Sequence, residues 1–254
     1  YLQGNAEALA HLQGMELLYP RSPYLILAHY LIGMSNKLDR KTEDGMVWKK
    51  ADTEAAIHAF EETKNTFDTC YEKNLINAQD LEYFVTVRYK ALLERALIKL
   101  RLAEDTEGAK QNIYTEWAIE AFEDITKDFQ NPSHALTTIL MRGNTYPRIY
   151  EESEYGLSQA FITAKNHDAA EQHLSEMLQR YDSANIKRGY YLSRTWYHQG
   201  AIAMSKGEYE LALKFLRRAE DSAKGKILST DQYLDLLIQQ SRCYTYLNNL
   251  ENAM

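Results

Sequence analysis

The chain has 254 residues, a formal net charge of −7 and a hydrophobic fraction of 45%. That length supports a substantial core in one elongated domain or two compact ones, and the acidic balance argues against a nucleic-acid groove, which normally carries a basic stripe. Only 4 prolines and 11 glycines, set among abundant Ala, Leu, Glu, Lys and Gln, argue against a sheet-rich fold and predict an all-α protein.

In chain order, Ala8, Leu12 and Met15 form the first apolar stripe, and Pro20 ends its helix. A small residue followed one turn later by a large apolar one places both on a single helical face. A helix over Tyr24 to Lys37 follows, with Gly33 as its small residue and Tyr30 ahead of it. Residues Asp39 to Lys50 are a charged insertion that carries Met46, Val47 and Trp48. These apolar residues either fold back over the adjacent helices or, in the case of Trp48, form an exposed anchor for a partner. Ala56, Phe60 and Thr63 then repeat the first stripe's intervals. A long helix over Leu81 to Ala103 comes next, and Glu104 to Ile113 reads as a second insertion.

Ala118, Phe122 and Ile125 repeat the stripe again, followed by a short helix over roughly Ser133 to Arg142. The acidic run Glu151, Glu152 and Glu154 lies ahead of a helix over Tyr155 to Lys165, where carboxylates favour the helix dipole and are expected to be exposed. A turn at Asn166, His167 and Asp168 leads to a further copy, Ala170, Leu174 and Met177. The clearest passage is Trp196 to Ala219: Trp196, Gly200 and Ala203, a turn at Lys206-Gly207, then Ala212, Leu216 and Ala219. Gly200 and Ala212 let two antiparallel helices approach, and Gly207 supplies the positive φ of a helix C-cap. A last helix spans Thr230 to Leu247, with another turn at Asn248-Asn249 before Leu250. The chain opens at Tyr1 inside a repeat and stops at Met254, and so reads as a piece of a longer protein.

Chemistry-bearing motifs are missing from this series. Neither a Gly-rich phosphate loop nor a zinc, calcium or H-E-x-x-H signature occurs. His167 and His173 lack the i, i+4 spacing that converges on a metal and read as surface or capping residues. Cys70 and Cys243, the two cysteines, read as small buried residues rather than a disulfide. No catalytic residue, metal ligand or cofactor is therefore expected. Of the 19 tyrosines, Tyr197 follows the packing residue Trp196 by one, and Arg194 three residues earlier shares its face. With Ala201, and with Tyr30 and Met34 on the earlier helix, they are the residues expected to line a protein-binding groove; Met46 and Trp48 are expected at an insertion edge.

The alternation of helices and the Trp196–Ala219 pattern resemble the tetratricopeptide repeat (TPR) family, whose unit is a helix-turn-helix of 34 residues. The resemblance implies a right-handed α-solenoid of about five to six repeats as one domain over 1–254, with a concave groove lined by first helices. It also implies a non-enzymatic role in binding a protein or peptide, without nucleic acid. LLYPRSPY (Leu17 to Tyr24) further resembles the Y-P-x-S-x-Y junction of bacterial envelope TPR proteins such as the BamD lipoproteins of outer-membrane assembly, over roughly residues 5 to 182. That similarity implies a scaffold on the periplasmic side of the outer membrane, tethered only through an N-terminal lipid anchor outside this sequence. A cytoplasmic adaptor or secretion chaperone and a regulatory module fused to another domain are the alternatives. The two-carboxylate clamp of chaperone-binding TPRs is not matched, since residues such as Tyr197 and Ala201 stand in its Lys and Asn positions.

Overall fold

A computed structural model describes residues 6–41, 47–131, 133–142, 147–224 and 228–247. Among them the protein is all-α apart from one small hairpin. The elements are α1 (Ala6–Leu18), α2 (Leu25–Asn36), β1 (Arg40–Lys41), β2 (Val47–Lys49), α3 (Thr53–Glu72), α4 (Leu81–Glu104), α5 (Ala109–Gln130), α6 (Ala135–Leu140), α7 (Arg148–Thr163), α8 (His167–Ser183), α9 (Tyr190–Ser205), α10 (Tyr209–Ser222) and α11 (Thr230–Tyr246). Two compact units, 1–157 and 158–254, divide within α7.

Both units rest on one packing rule. The four stripes Ala56-Phe60-Thr63, Ala118-Phe122-Ile125, Ala170-Leu174-Met177 and Ala212-Leu216-Ala219 are completely buried at every position, whereas Ala8, Leu12 and Met15 of the first stripe, on the first described helix, are only partly buried. The i, i+4, i+7 spacing holds each on one face of its helix, and that face is the one its neighbours cover. For Phe60 and Leu216 a glycine on the preceding helix makes room for the large residue, whereas for Phe122 the glycine is Gly156 on the later helix α7. A Cβ on Gly33 would lie 2.6 Å from Phe60 Cε1, and one on Gly200 would lie 2.8 Å from Leu216 Cγ.

In the first unit, α2 packs on α3, α3 on α4 and α4 on α5, with α2 also touching α4. Arg88 on α4 ties three helices together: its Nε donates to Asp68 on α3 at 2.9 Å, and Nη1 lies 3.9 Å from Asp128 on α5. The neighbouring Tyr89 hydroxyl donates to Asp128 at 2.8 Å, and its pKa is pushed up by burial and by that carboxylate's charge. In the second unit, α8 packs on α9, α9 on α10 and α10 on α11, with α11 also touching α9. Asn166 caps α8 by accepting from Ala169 N at 3.2 Å, and Ser229 with Gln232 forms a capping box on α11. The turn between α9 and α10 has Gly207 at φ +77°. Cys70 and Cys243 are free buried thiols with pKa values raised by burial.

Four expectations are corrected. Residues 104–113 are not an insertion: α4 ends at Glu104 and α5 already begins at Ala109, with Gly108 at φ +69° turning the chain between them. α7 starts at Arg148 rather than Tyr155, because Pro147, unable to donate, sets the helix entry and its carbonyl accepts from Glu151 N at 3.0 Å. The acidic run therefore lies inside the helix, and Glu154 is completely buried. His173 is likewise buried, its ring edge-on to Phe161 at 6.2 Å. The 39–50 insertion contains β1 and β2, an antiparallel pair whose base is closed by Ala51 N donating to Asp39 Oδ1 at 2.8 Å and Asp52 N donating to Asn36 O at 2.8 Å.

Candidate protein-binding face

Three faces of α9 are distinguishable by what they touch. Ser193, Trp196, Gly200 and Ala203 meet α10: Ser193 Oγ donates to Ala219 O at 2.8 Å, and Trp196 stacks on Phe215 with centroids 5.6 Å apart. Gln199 turns to α8, its Nε2 donating to Glu171 O at 3.1 Å and Ser175 Oγ at 3.0 Å; Leu192, Thr195 and Ile202 share that face by helical spacing. The remaining face carries Arg194, Tyr197, His198 and Ala201, all partly buried.

This third face is organised by charge. The Arg194 guanidinium lies 4.5 Å from the Tyr197 ring centroid, a cation–π distance, and His198 stands edge-on to the same ring at 5.2 Å. α11 supplies Asp235 and Gln239, both hydrogen bonded to the Tyr197 hydroxyl. Burial, and then the Asp235 hydrogen bond and charge, push the Tyr197 pKa up to about 12. The His198 pKa is pushed down to about 3 by burial and by the Arg194 cation, against the pull of Asp235, so its imidazole is neutral at pH 7. Tyr197 also packs against the core formed by Ala203, Ala212, Leu216, Leu236 and Cys243, so it ties α9 to α10 and α11.

The first unit repeats the arrangement. Tyr30 stands three residues before Gly33 as Tyr197 does before Gly200, and Met34 follows Gly33 as Ala201 follows Gly200. Tyr30 and Met34 are partly buried against Ala56, Phe60, Ala91 and Ile98, with the Tyr30 ring 5.9 Å from Phe60. Burial and the Glu94 charge on α4 raise the Tyr30 pKa, as burial and Asp235 raise that of Tyr197. Glu94 is itself paired with Lys37.

The five expected groove residues thus fall as Tyr30 and Met34 in one unit and Arg194, Tyr197 and Ala201 in the other. Sequence reasoning missed His198, Asp235, Gln239 and Glu94. His198 was marked by its i+4 spacing from Arg194, whereas the other three arrive from the next helix but one. Of the expected insertion edge, Met46 lies outside the described residues; Trp48 falls in β2, its side chain outside the described set. Among the described residues no group of three or more His, Cys, Asp or Glu is placed to hold a metal ion, and no helix is long and apolar enough to cross a membrane.

Helices packed on their sequence neighbours within each unit, with α4 also reaching α2 and α11 reaching α9, define an all-α, repeat-like fold among the described residues. No family model and no curated protein matches the chain. Among solved structures it is similar to BtubC (BKLC) from P. vanneervenii, with a TM-score of 0.63 and 12% sequence identity over 98% of this chain and 83% of that one. At that identity the likeness establishes the fold alone.

Proposed function

We propose that the protein is a non-enzymatic interaction scaffold: about five to six TPR-like repeats of a right-handed α-solenoid whose first helices hold a protein or peptide partner, without a cofactor. The observation that carries the reading is the third face of α9. Arg194, Tyr197, His198 and Ala201 lie together on the part of α9 that α11 reaches, all of them partly exposed, with Asp235 and Gln239 beside the ring. An aromatic ring carrying a guanidinium, next to a neutral imidazole and a carboxylate, offers the stacking surface and mixed donors and acceptors that peptide recognition uses. The equivalent Tyr30 and Met34 face supports the same use in the first unit.

The Leu17–Tyr24 junction supports an envelope setting on the periplasmic side of the bacterial outer membrane, where the partner would be an assembly component. A photoreactive amino acid at Ala201, and separately at Met34, tests both parts in the native cell. The reading expects an adduct from each position, and the Ala201 adduct should fall at least tenfold in an Arg194→Glu background, which reverses that residue's charge. Crosslinks that ignore Arg194→Glu, or that form only from outer positions of second helices, refute the binding face. Adducts to cytoplasmic proteins alone refute the envelope setting and leave the face intact.

A further inference from the structure

The second helix α5 carries an exposed feature that the first-helix face does not use. Trp117 is 47% exposed and Ile113, one turn earlier, 46%. Tyr114 joins them, its ring edge-on to Trp117 with centroids 5.6 Å apart. Isolated exposed apolar residues are ordinary, but an exposed tryptophan in contact with a second aromatic ring and flanked by an aliphatic residue has the composition of an interface anchor. Neither ring is needed to close the first unit's core, which Thr115, Ala118, Ala121, Phe122 and Ile125 fill from the opposite face.

The surroundings select the partner's charge. At 100° per residue, Glu120 and Asp124 continue the Ile113–Trp117 stripe toward the helix C-terminus, and both are exposed. Glu116 on the flank and Glu107 in the preceding turn are exposed as well. Opposing them are the exposed Lys110 at the stripe's start, Lys127, which pairs with Glu123 at 2.7 Å, and two α4 residues beneath, Arg95 and Lys99. Arg95 is paired with Glu61, and Lys99, partly buried, feels Glu120 and Asp124 electrostatically. The outward balance is acidic beside an apolar anchor.

We propose that this face of α5 docks a basic amphipathic segment of a partner protein, with an apolar side chain against Trp117 and lysines or arginines over Glu120 and Asp124. Apolar contact supplies the grip, and the carboxylates supply orientation and on-rate.

A labelled helix-forming peptide of about 18 residues, with leucines at i, i+3, i+4, i+7 spacing and lysines flanking them, is titrated with the full chain by fluorescence anisotropy. A counterpart with glutamate for every lysine is titrated in parallel. The proposal expects saturable binding of the lysine peptide that weakens as salt rises, and little binding of the glutamate peptide. Trp117→Ala should weaken binding roughly thirtyfold, the loss typical of an anchor residue, and Glu120→Lys/Asp124→Lys at least tenfold. A control pair with the same charge change far along the sequence, Glu7→Lys/Asp182→Lys, should bind as the unaltered chain does. Equal loss in the control pair assigns the effect to overall charge and overturns the proposal. So does equal binding of both peptides, or a Trp117-dependent dimer in sedimentation that excludes the peptide.

Discussion

Gly200→Ala is the sharpest test of how the second unit is held together. The added Cβ would sit 2.8 Å from Leu216 Cγ, 2.9 Å from its Cδ2 and 3.3 Å from the Ala212 carbonyl oxygen. Leu216 is completely buried and is met at its branch point, and the third contact is backbone, so neither partner can swing away. Overpacking of this kind costs about 1–3 kcal/mol, while alanine in place of glycine returns about 1 kcal/mol of helix propensity. The net loss is about 1 kcal/mol. With a urea m-value of about 1.5 kcal/mol/M for a domain of this size, the midpoint falls by about 0.7 M. The assay is urea unfolding followed by circular dichroism, with Gly14→Ala as the control. Gly14 lies in α1 with nothing within 4 Å of its absent Cβ, so the same substitution there should be neutral or stabilising. Gly200→Leu, which forces three further carbons into the gap, should lower the midpoint well beyond Gly200→Ala. A Gly200→Ala midpoint at or above that of the unaltered chain would show that α9 and α10 do not depend on the missing methyl, and the packing argument would fail.

Three further outcomes follow from polar groups of α9. Ser193→Ala removes the hydroxyl that donates to Ala219 O and leaves that carbonyl without its side-chain donor, and thermal melting should register a loss of about 1 kcal/mol. His198 has a lowered pKa, so the unfolded chain protonates first on acidification; the stability it contributes is complete above about pH 6.5 and is lost as pH falls toward about 3. His198→Gln should flatten the acid limb of the stability curve by up to about 1.4 kcal/mol per pH unit; superimposable acid limbs would refute a neutral imidazole. Tyr197 has a raised pKa, so its contribution is complete below about pH 10 and lost as pH rises through about 12. The ultraviolet difference titration between the unaltered chain and Tyr197→Phe should show one phenol ionising near that upper value, and an ordinary tyrosine midpoint would break the assigned contact with Asp235.

What was legible in the sequence is what the 3.6-residue period prints locally. Each small–large stripe from Ala56 onward is buried in full because a single helix face decides its fate, and Gly207 and Asn166 act within their own turns. What was not legible depended on contacts made elsewhere. Gln111 and Asn112 give no apolar cue to helix, yet Gln111 Nε2 donates to Ala103 O at 3.3 Å across the hairpin and helps seat the start of α5 on α4. Glu154 reads as a solvated carboxylate because its sequence neighbours are acidic, whereas it is completely buried in α7. Asp235 lies 38 positions beyond Tyr197, outside any window in which a periodic pattern would join them. The groove residues that could be named from sequence were accordingly those of one helix at a time, and their companions came from the helix beyond the next.

The hairpin stapled between α2 and α3 has a consequence for how this protein can change. Its two closing hydrogen bonds, Ala51 to Asp39 and Asp52 to Asn36, lie at the foot, where the chain leaves α2 and enters α3. Doubling the length of such an excursion adds only about 0.6 kcal/mol of closure entropy. A longer excursion closed by the same two hydrogen bonds would therefore cost the fold little.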